Sequence, residues 1–309
     1  MSPHSSRFAQ ATALALMLLA ACSSDASGPG GSTTLPPQFG QAMSFSQFDS
    51  ALGSGPARIE IKLLPGGLVA REVEVEPDDA EEKIVSTVTA LDPAAGTITL
   101  ALGGMTINYG SGTRFRTPSD SRVSRSEWEA AIAAALAGGG TPPVEARRNP
   151  GATPQDPGDP SFTALDLRLE SQAEEPKIEV YVDSDNLEPV ASPPPVSILR
   201  VFNLPIEITS STDLWEILPG GQIPTGSIEF EATVIAVDEN AATLTLAGGT
   251  IVQVGSVTFD PEGDLFSLSS VASAVASGSA VRTEGRGTVS AAGPPVAITA
   301  TEIKVEVDN

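Results

Sequence analysis

A stretch of alternating apolar and polar residues occurs twice in this chain, at residues 87–100 and again at residues 233–246. Each copy has the pattern of two β-strands joined by a turn that starts with an aspartate, Asp92 in the first copy and Asp238 in the second. Alternation places every second side chain on the same face of a strand, and an aspartate can hydrogen-bond its own backbone in a turn. The pattern therefore predicts a β-hairpin that begins a larger unit twice.

Each hairpin opens a longer segment with the order β-β-β-α-β-β, over residues 81–172 and residues 228–309. In the first segment Ser126 begins a capping box, and in the second Asp264 is placed to cap a helix over residues 265–276. A helix that plugs one end of five strands resembles an OB-type barrel, and closure removes the exposed edges of a small sheet. We therefore predict an all-β fold with short helices, built of tandem small OB-like five-stranded barrels.

Two further segments are incomplete. Residues 44–76 have the pattern of a helix and two strands, whereas residues 173–227 have the pattern of three strands. Together they supply the parts of one unit, with the complete unit between them. We hypothesise a composite barrel formed by residues 44–76 and 177–215. Two alternatives stay open: two degraded units that pack loosely, or a closing hairpin within residues 212–231.

Residues 1–21 are predicted to be a lipoprotein signal peptide, because a short apolar run at residues 11–20 ends in small residues before Cys22. This pattern resembles the lipobox of bacterial lipoproteins, which implies cleavage before Cys22 and acylation of its thiol and new amino terminus. An ordinary secretory signal with a chance cysteine is the alternative. Ser23, where the resemblance would place Asp for inner-membrane retention, implies the outer membrane. Residues 22–43 are rich in Gly, Ser, Thr and Pro and are predicted to be a flexible tether.

Composition excludes several kinds of active site. His4 is the only histidine and lies in the predicted signal peptide, and Cys22 is the only cysteine. Without these residue types, Ser-His-Asp and Cys-His nucleophiles and His- or Cys-bound zinc are excluded from the processed chain. The 39 acidic residues against 17 basic ones repel phosphate backbones, so we predict no nucleic-acid partner. Trp128 and Trp215 are interpreted as core or helix-anchoring residues.

Three acidic segments have simple structural explanations. Residues 183–188 begin like a calcium loop, but Glu188 and Pro194 stand where that loop needs a glycine and a bidentate glutamate. Residues 156–159 and 260–264 have the composition of turns and helix caps. We predict no catalytic residue, no metal site and no cofactor.

Pairs of glutamates alternate along several strands, such as Glu74 with Glu76 and Glu229 with Glu231. Apolar residues lie between them and would fill the barrels, so these glutamates are predicted to face solvent. A glycosidase needs two carboxylates at a set separation, and no pair stands out from the others.

The strand-and-turn pattern of residues 87–100, the following Gly-Gly, the Thr-Arg-Phe of residues 113–115 and closing strands such as residues 68–75 resemble a bacterial envelope family. It is known as domain of unknown function 5666. The resemblance covers most of residues 57–309 and is good only in the two complete units. It implies a small β-barrel and a lipoprotein address, and it implies no catalytic residues.

We therefore expect a non-enzymatic protein of the cell envelope that is anchored to a membrane through acylated Cys22. Ser23 favours the outer membrane as the place of the anchor. Its barrels would bind a partner protein, a glycan or a cation, or act as structural spacers. One alternative is a carboxylate-dependent enzyme acting on envelope polysaccharide, which would show a deep pocket with two converging carboxylates. Another is a calcium-dependent adhesion module.

Overall fold

The structure is a computed structural model that describes residues 37–77, 81–151, 153–173, 175–190, 196–219, 222–261, 263–293 and 295–308. Cys22, the predicted signal peptide and most of the predicted tether lie outside these residues. Within the described ranges no helix is both long and apolar enough to cross a membrane. Strands dominate and helices are short, which confirms the predicted fold class.

The N-terminal described segment contains a strand before the first helix. The elements are β1 (Gln38–Ala42), α1 (Phe45–Gly53), β2 (Ala57–Leu63) and β3 (Ala70–Glu76). Helix α1 starts at a capping box of Ser44 and Gln47 and buries Phe48 and Leu52. The prediction of a flexible tether was wrong for residues 38–42, because their backbone groups pair with strands on both sides.

Residues 82–169 form a closed barrel, here called the inserted barrel. Its elements are β4 (Glu82–Asp92), β5 (Thr97–Leu100), β6 (Thr106–Asn108), β7 (Arg114–Arg116), β8 (Arg122–Val123), α2 (Arg125–Ala137), β9 (Pro143–Arg148), β10 (Phe162–Thr163) and β11 (Asp166–Leu169). Pairing runs from β4 to β5, to β6 and β7, to β10 and β11, to β9 and back to β4. The last strand therefore lies between the third and the fourth, as in an OB-type barrel.

The N-terminal segment of α1, β2 and β3 is completed as a barrel by strands that follow the inserted barrel. They are β12 (Lys177–Val182), β13 (Leu187–Pro189), β14 (Ser197–Val201), β15 (Leu204–Ile208) and β16 (Asp213–Ile217). β12 pairs with β2, β2 with β3, and β3 with β16, while β13, β14 and β15 pair in succession. Ile59 lies opposite Val180, and Ile59 and Ile178 share one core. Residues 45–76 and 177–217 are here called the composite barrel.

Residues 227–308 form the C-terminal barrel. Its elements are β17 (Ser227–Asp238), β18 (Thr243–Leu246), β19 (Ile251–Gln253), β20 (Thr258–Phe259), α3 (Leu268–Ala276), β21 (Ala280–Ala291) and β22 (Ala297–Asp308). β17 pairs with β18 and β21, and β22 closes the barrel between β19 and β21. Helix α3 has Ser267 as its N-cap, so the cap predicted at Asp264 was wrong; the Asp264 carboxylate instead accepts a hydrogen bond from the Val307 amide.

The three barrels share backbone pairing but have two hydrophobic cores. β12 pairs with β4 and so joins the composite barrel to the inserted barrel. β1 lies between β16 and β17 and joins the composite barrel to the C-terminal barrel. One core cluster runs through the composite and inserted barrels, and a second fills the C-terminal barrel and includes Phe39 of β1. At these two junctions, the outer face of one barrel is covered by the neighbouring barrel.

Candidate functional site

The acidic segments singled out in the sequence serve as turns. The Asp183 side chain accepts a hydrogen bond from the Asp185 amide, and Asn186 donates to the carbonyl oxygens of Gln155 and Arg200. Glu188 forms an ion pair with Arg200. All of these groups are engaged within the composite barrel or with the loop that packs on it.

The loop at residues 156–159 is similar, and in the other segment the Gly263 amide donates a hydrogen bond to the Asp260 carbonyl oxygen. Asp156 accepts a hydrogen bond from Gly158, and Asp159 accepts two from Ser161. Of the two tryptophans, Trp128 is 1% exposed in the inserted barrel and Trp215 is 6% exposed on β16. Their interpretation as packing residues agrees with this burial.

The glutamates predicted to face solvent are instead covered at a junction. Glu74 is 8% exposed and Glu229 is 6% exposed, so the prediction was wrong for these two residues. Alternation along β3 and β17 correctly places them outside their own barrels, but another barrel covers that outer face. Glu231, two residues beyond Glu229, keeps a side chain that is 32% exposed.

Charged side chains from the composite and C-terminal barrels meet at this junction. We call the group the charged seam; it consists of Glu60, Lys62, Glu72, Glu74, Glu229, Glu284 and Arg286. β2 and β3 supply the first four residues, β17 supplies Glu229, and β21 supplies the last two. Each residue occupies the outward position of a strand whose inward neighbours fill a barrel core.

Lys62 is the cation at the centre of the charged seam. Its Nζ lies 2.6 Å from Glu72 Oε1, 2.6 Å from Glu74 Oε1 and 3.2 Å from Glu284 Oε1. Burial alone would lower the pKa of Lys62, but Glu74 and Glu284 outweigh it and raise that pKa. Lys62 therefore stays protonated and bridges the two barrels.

Arg286 is the second cation and crosses the junction in the opposite direction. Its guanidinium contacts the Glu72 carboxylate, lies 2.6 Å from Asp213 Oδ2 and lies 3.6 Å from Glu229 Oε1. The same group stacks over the Trp215 ring, with its Cζ 5.5 Å from the centroid. Arg286 thus fixes the C-terminal barrel against β3 and β16.

The charged seam holds more carboxylates than cations. Burial raises the pKa of Glu74 to about 8 and that of Glu229 to about 7, with Lys62 opposing both shifts. Burial also disfavours the charged form of Glu60, but Lys177 and Lys62 outweigh it and lower that pKa to about 2. Glu229 Oε2 is buried and has no hydrogen-bond partner. The arrangement is therefore short of positive charge around Glu229.

A second charged cluster lies between the composite and inserted barrels. Arg58 contacts both Glu76 and Glu179, and Lys83 of β4 also contacts Glu179. Lys177 lies 3.3 Å from Glu179 Oε1. Here cations and carboxylates are matched more evenly, as expected of a structural junction.

An open groove on the inserted barrel is the other candidate. It has a volume of about 350 Å³ and is lined by Gly110, Ser111, Thr113, Arg114, Phe115, Arg122, Val123, Ser124 and Arg125. Two of its arginines already have partners, since Arg114 lies 3.1 Å from Asp166 and Arg125 lies 2.8 Å from Glu129. Its lining contains no carboxylate, so it does not offer the paired acids of a glycosidase.

Sequence reasoning missed the charged seam, although one signal was present. β2 mixes signs in Arg58, Glu60 and Lys62, while β3 places glutamates at every second position. A strand with mixed charges beside an acidic strand is suited to burial in ion pairs. Comparison of the chain with protein-family models, with curated proteins and with solved structures finds no match in any of the three.

Proposed function

We propose that this protein is a non-enzymatic, lipid-anchored module of the cell envelope, whose three small barrels act together as a binding or structural body. The observation that carries the proposal is the place of β1. This strand lies at the end of the segment that was predicted to be a tether, and its backbone pairs with β16 on one side and β17 on the other. A chain anchored at Cys22 would thus enter the folded body at the junction of two barrels.

The use of charged groups supports a non-enzymatic role. The buried carboxylates of the charged seam are held by Lys62 and Arg286 from neighbouring strands. The open groove on the inserted barrel is lined by three arginines and no acid. Carboxylates held in ion pairs at a junction, together with a groove whose lining has no acid, favour a binding or spacer role over carboxylate catalysis on envelope polysaccharide.

The resemblance to the envelope family supports the proposed location in the cell envelope. It implies a lipoprotein with small barrels, and the processed chain would carry a soluble, acidic body on a tether rich in Gly, Ser and Pro. The proposed partner is a protein or a glycan of the envelope, reached from an outer-membrane anchor.

Labelling with a fatty-acid probe in a diderm bacterial host tests the anchor. Wild type and Ser23→Ala should incorporate the probe and sediment with membranes, whereas Cys22→Ala should do neither. Ser23→Asp should keep the label but move towards the inner-membrane fraction. Equal labelling of wild type and Cys22→Ala would contradict the proposal.

Affinity capture tests the binding role. The lipidated full-length protein is used to capture proteins and glycans from solubilised envelope, with Cys22→Ala captured in parallel from the soluble fraction. A specific envelope protein or glycan retained by both forms is expected. Release of reducing ends from purified envelope polysaccharide would favour the enzyme alternative instead.

A further inference from the structure

The three carboxylates of Glu72, Glu229 and Glu284 converge at the junction between the composite and C-terminal barrels. One carboxylate oxygen from each lies within 4.8 Å of the others. The first comes from β3, the second from β17 and the third from β21. Such convergence from three strands of two barrels gives oxygen ligands that backbone pairing holds in place.

Burial makes this convergence unusual for acidic side chains. Glu72 is 1% exposed and Glu229 is 6% exposed, while the Glu284 side chain is 40% exposed. Two carboxylates thus lie inside the junction, and the third connects them to solvent. A buried carboxylate requires nearby positive charge or hydrogen-bond donors, because removal from water disfavours its ionised form.

Positive charge in the charged seam is insufficient for all of its acids. Of its five glutamates, Glu60 pairs with Lys177 of the neighbouring cluster at 3.1 Å, so the other four depend on Lys62 and Arg286. Both cations are already shared, since Lys62 contacts Glu72, Glu74 and Glu284, and Arg286 contacts Glu72. Glu229 Oε2 is left without any hydrogen-bond donor although it is buried. This oxygen is the independent sign that a ligand is missing from the set.

We propose that Glu72, Glu229 and Glu284 form a binding site for a hard divalent cation of the calcium class, which joins the composite barrel to the C-terminal barrel. Carboxylate oxygens are the ligands that such ions prefer, and Ca²⁺ tolerates irregular sets that include bidentate carboxylates and water. Mg²⁺ needs a compact octahedron and gives up its water reluctantly, so it fits less well. The site differs from the calcium-like segment at residues 183–188, whose side chains are engaged in turns.

This inference does not rest on the proposed lipid anchor, because every ligand lies in the folded barrels. The two can therefore fail separately: loss of labelling in Cys22→Ala concerns the anchor, and loss of cation binding in Glu229→Gln concerns the site. Lys62, Arg286 and Lys177, which pairs with Glu60, together balance three of the five carboxylates, and the two remaining negative charges match one divalent ion.

Thermal unfolding of the full-length protein with added CaCl₂ is the first test. Wild type should gain melting temperature in a saturable way, with a dissociation constant on the order of 10⁻⁴–10⁻³ M, because a ligand that binds only the folded state stabilises it. Glu229→Gln should lose most of this gain, with affinity at least about tenfold weaker. KCl at equal ionic strength should not reproduce the gain.

Glu231→Gln is the matched control, because it removes one charge from the same strand two residues away and outside the site. It should respond to Ca²⁺ like wild type. Equal responses of the Glu229 and Glu231 variants, or no calcium response of wild type, would overturn the proposal. Glu229→Gln keeps the shape of the side chain and removes a buried charge whose Oε2 atom has no hydrogen-bond donor, so it should fold without added ion.

Terbium luminescence locates the binding event independently. Tb³⁺ substitutes for Ca²⁺ and emits when a nearby indole is excited, and Trp215 stacks on the Arg286 guanidinium that contacts Glu72. Bound Tb³⁺ should be sensitised in wild type and in Trp128→Phe but not in Trp215→Phe, and Ca²⁺ should displace it. Sensitisation that depends on Trp128 instead would place the ion elsewhere and contradict the site.

Discussion

At the scale of single residues, Glu76 shows how burial at a junction sets the charge of a carboxyl group. It is the last residue of β3 and contacts Arg58 of β2. Burial raises the pKa of Glu76 to about 7, with Arg58 and Lys177 opposing the shift and the charges of Glu60 and Glu179 adding to it. Arg58 and Glu60 lie on β2, and Lys177 and Glu179 lie on β12.

This raised pKa predicts a pH dependence of stability. Because the folded-state pKa lies above the unfolded value, the contribution of Glu76 is fully present below about pH 4.5 and is lost as pH rises through about 7. A pKa shift of this size changes the free energy of unfolding by an amount on the order of 3 kcal/mol over this pH range. Chemical unfolding should therefore show that the free energy of unfolding falls more between pH 5 and pH 8 for wild type than for Glu76→Gln.

The control for this prediction is Glu231→Gln, which removes a partly exposed carboxylate of the C-terminal barrel that pairs with Arg282. Its loss of stability between the two pH values should match that of wild type. If Glu76→Gln and wild type lost equal free energy over this range, the assignment of the titration to Glu76 would be wrong.

The sequence could predict which strand face each of these glutamates occupies, but not what covers that face. Apolar residues such as Val73 and Val75 alternate with Glu74, so the inward face of β3 was readable. A solvated outer face and a junction face have the same period of two. Only the neighbouring barrel, which is distant in sequence, turns Glu74 and Glu229 into buried groups.

At the scale of elements, β21 depends on a glycine that faces the C-terminal core. A Cβ atom at Gly285 would lie 2.7 Å from the Phe230 ring and 2.7 Å from the Glu302 carbonyl oxygen. Gly285 thus leaves room for Phe230, while its neighbours Glu284 and Arg286 face the charged seam. The close approach explains why a strand interior carries a residue that otherwise weakens strands.

Gly285→Ala should accordingly destabilise the C-terminal barrel. Forcing an extra methyl group into a filled core costs about 1–3 kcal/mol, so the melting temperature should fall. Gly53→Ala is the matched control, because a Cβ atom at the end of α1 meets nothing within 4 Å. Calorimetry should show little change for the control, and an equally small change for Gly285→Ala would contradict this account of β21.

Helix boundaries show where local sequence leaves a choice. Ser124 with Glu127 and Ser126 with Glu129 are both spaced as capping boxes, and the structure uses the first. Glu129 has other partners, since its carboxylate accepts hydrogen bonds from the Tyr109 hydroxyl and from Arg125 of the same helix. The existence of α2 was therefore predictable, but the capping box predicted at Ser126 was wrong, because Glu129 is engaged by Tyr109, which follows β6.

At the scale of the whole molecule, counting strands was enough to suggest that residues 44–76 and 177–215 belong together. The sequence could not show that the resulting barrel shares a core with the inserted one. That core depends on contacts such as the edge-on packing of Phe162 against Phe202, with ring centroids 5.5 Å apart. It also depends on Gly103, beside which Leu204 of the composite barrel packs.

The shared core predicts that the composite and inserted barrels unfold together. Ile132 on α2 is fully buried in the inserted barrel, and Trp215 lies on β16 of the composite barrel. In a Trp128→Phe background, Trp215 is the remaining tryptophan and reports the composite barrel. Ile132→Ala should cost about 2–5 kcal/mol and lower the transition seen by Trp215 fluorescence, because one cooperative unit contains both residues.

Val271→Ala provides the comparison, because Val271 on α3 is equally buried but belongs to the separate core of the C-terminal barrel. In the same background it should shift the Trp215 transition less than Ile132→Ala does, since β1 and the charged seam are the connections between these cores. If Ile132→Ala left the Trp215 transition in place, the two barrels would unfold independently and the shared core would not act as one unit. A stronger effect of Val271→Ala would mean instead that the charged seam couples the barrels more tightly than apolar packing does.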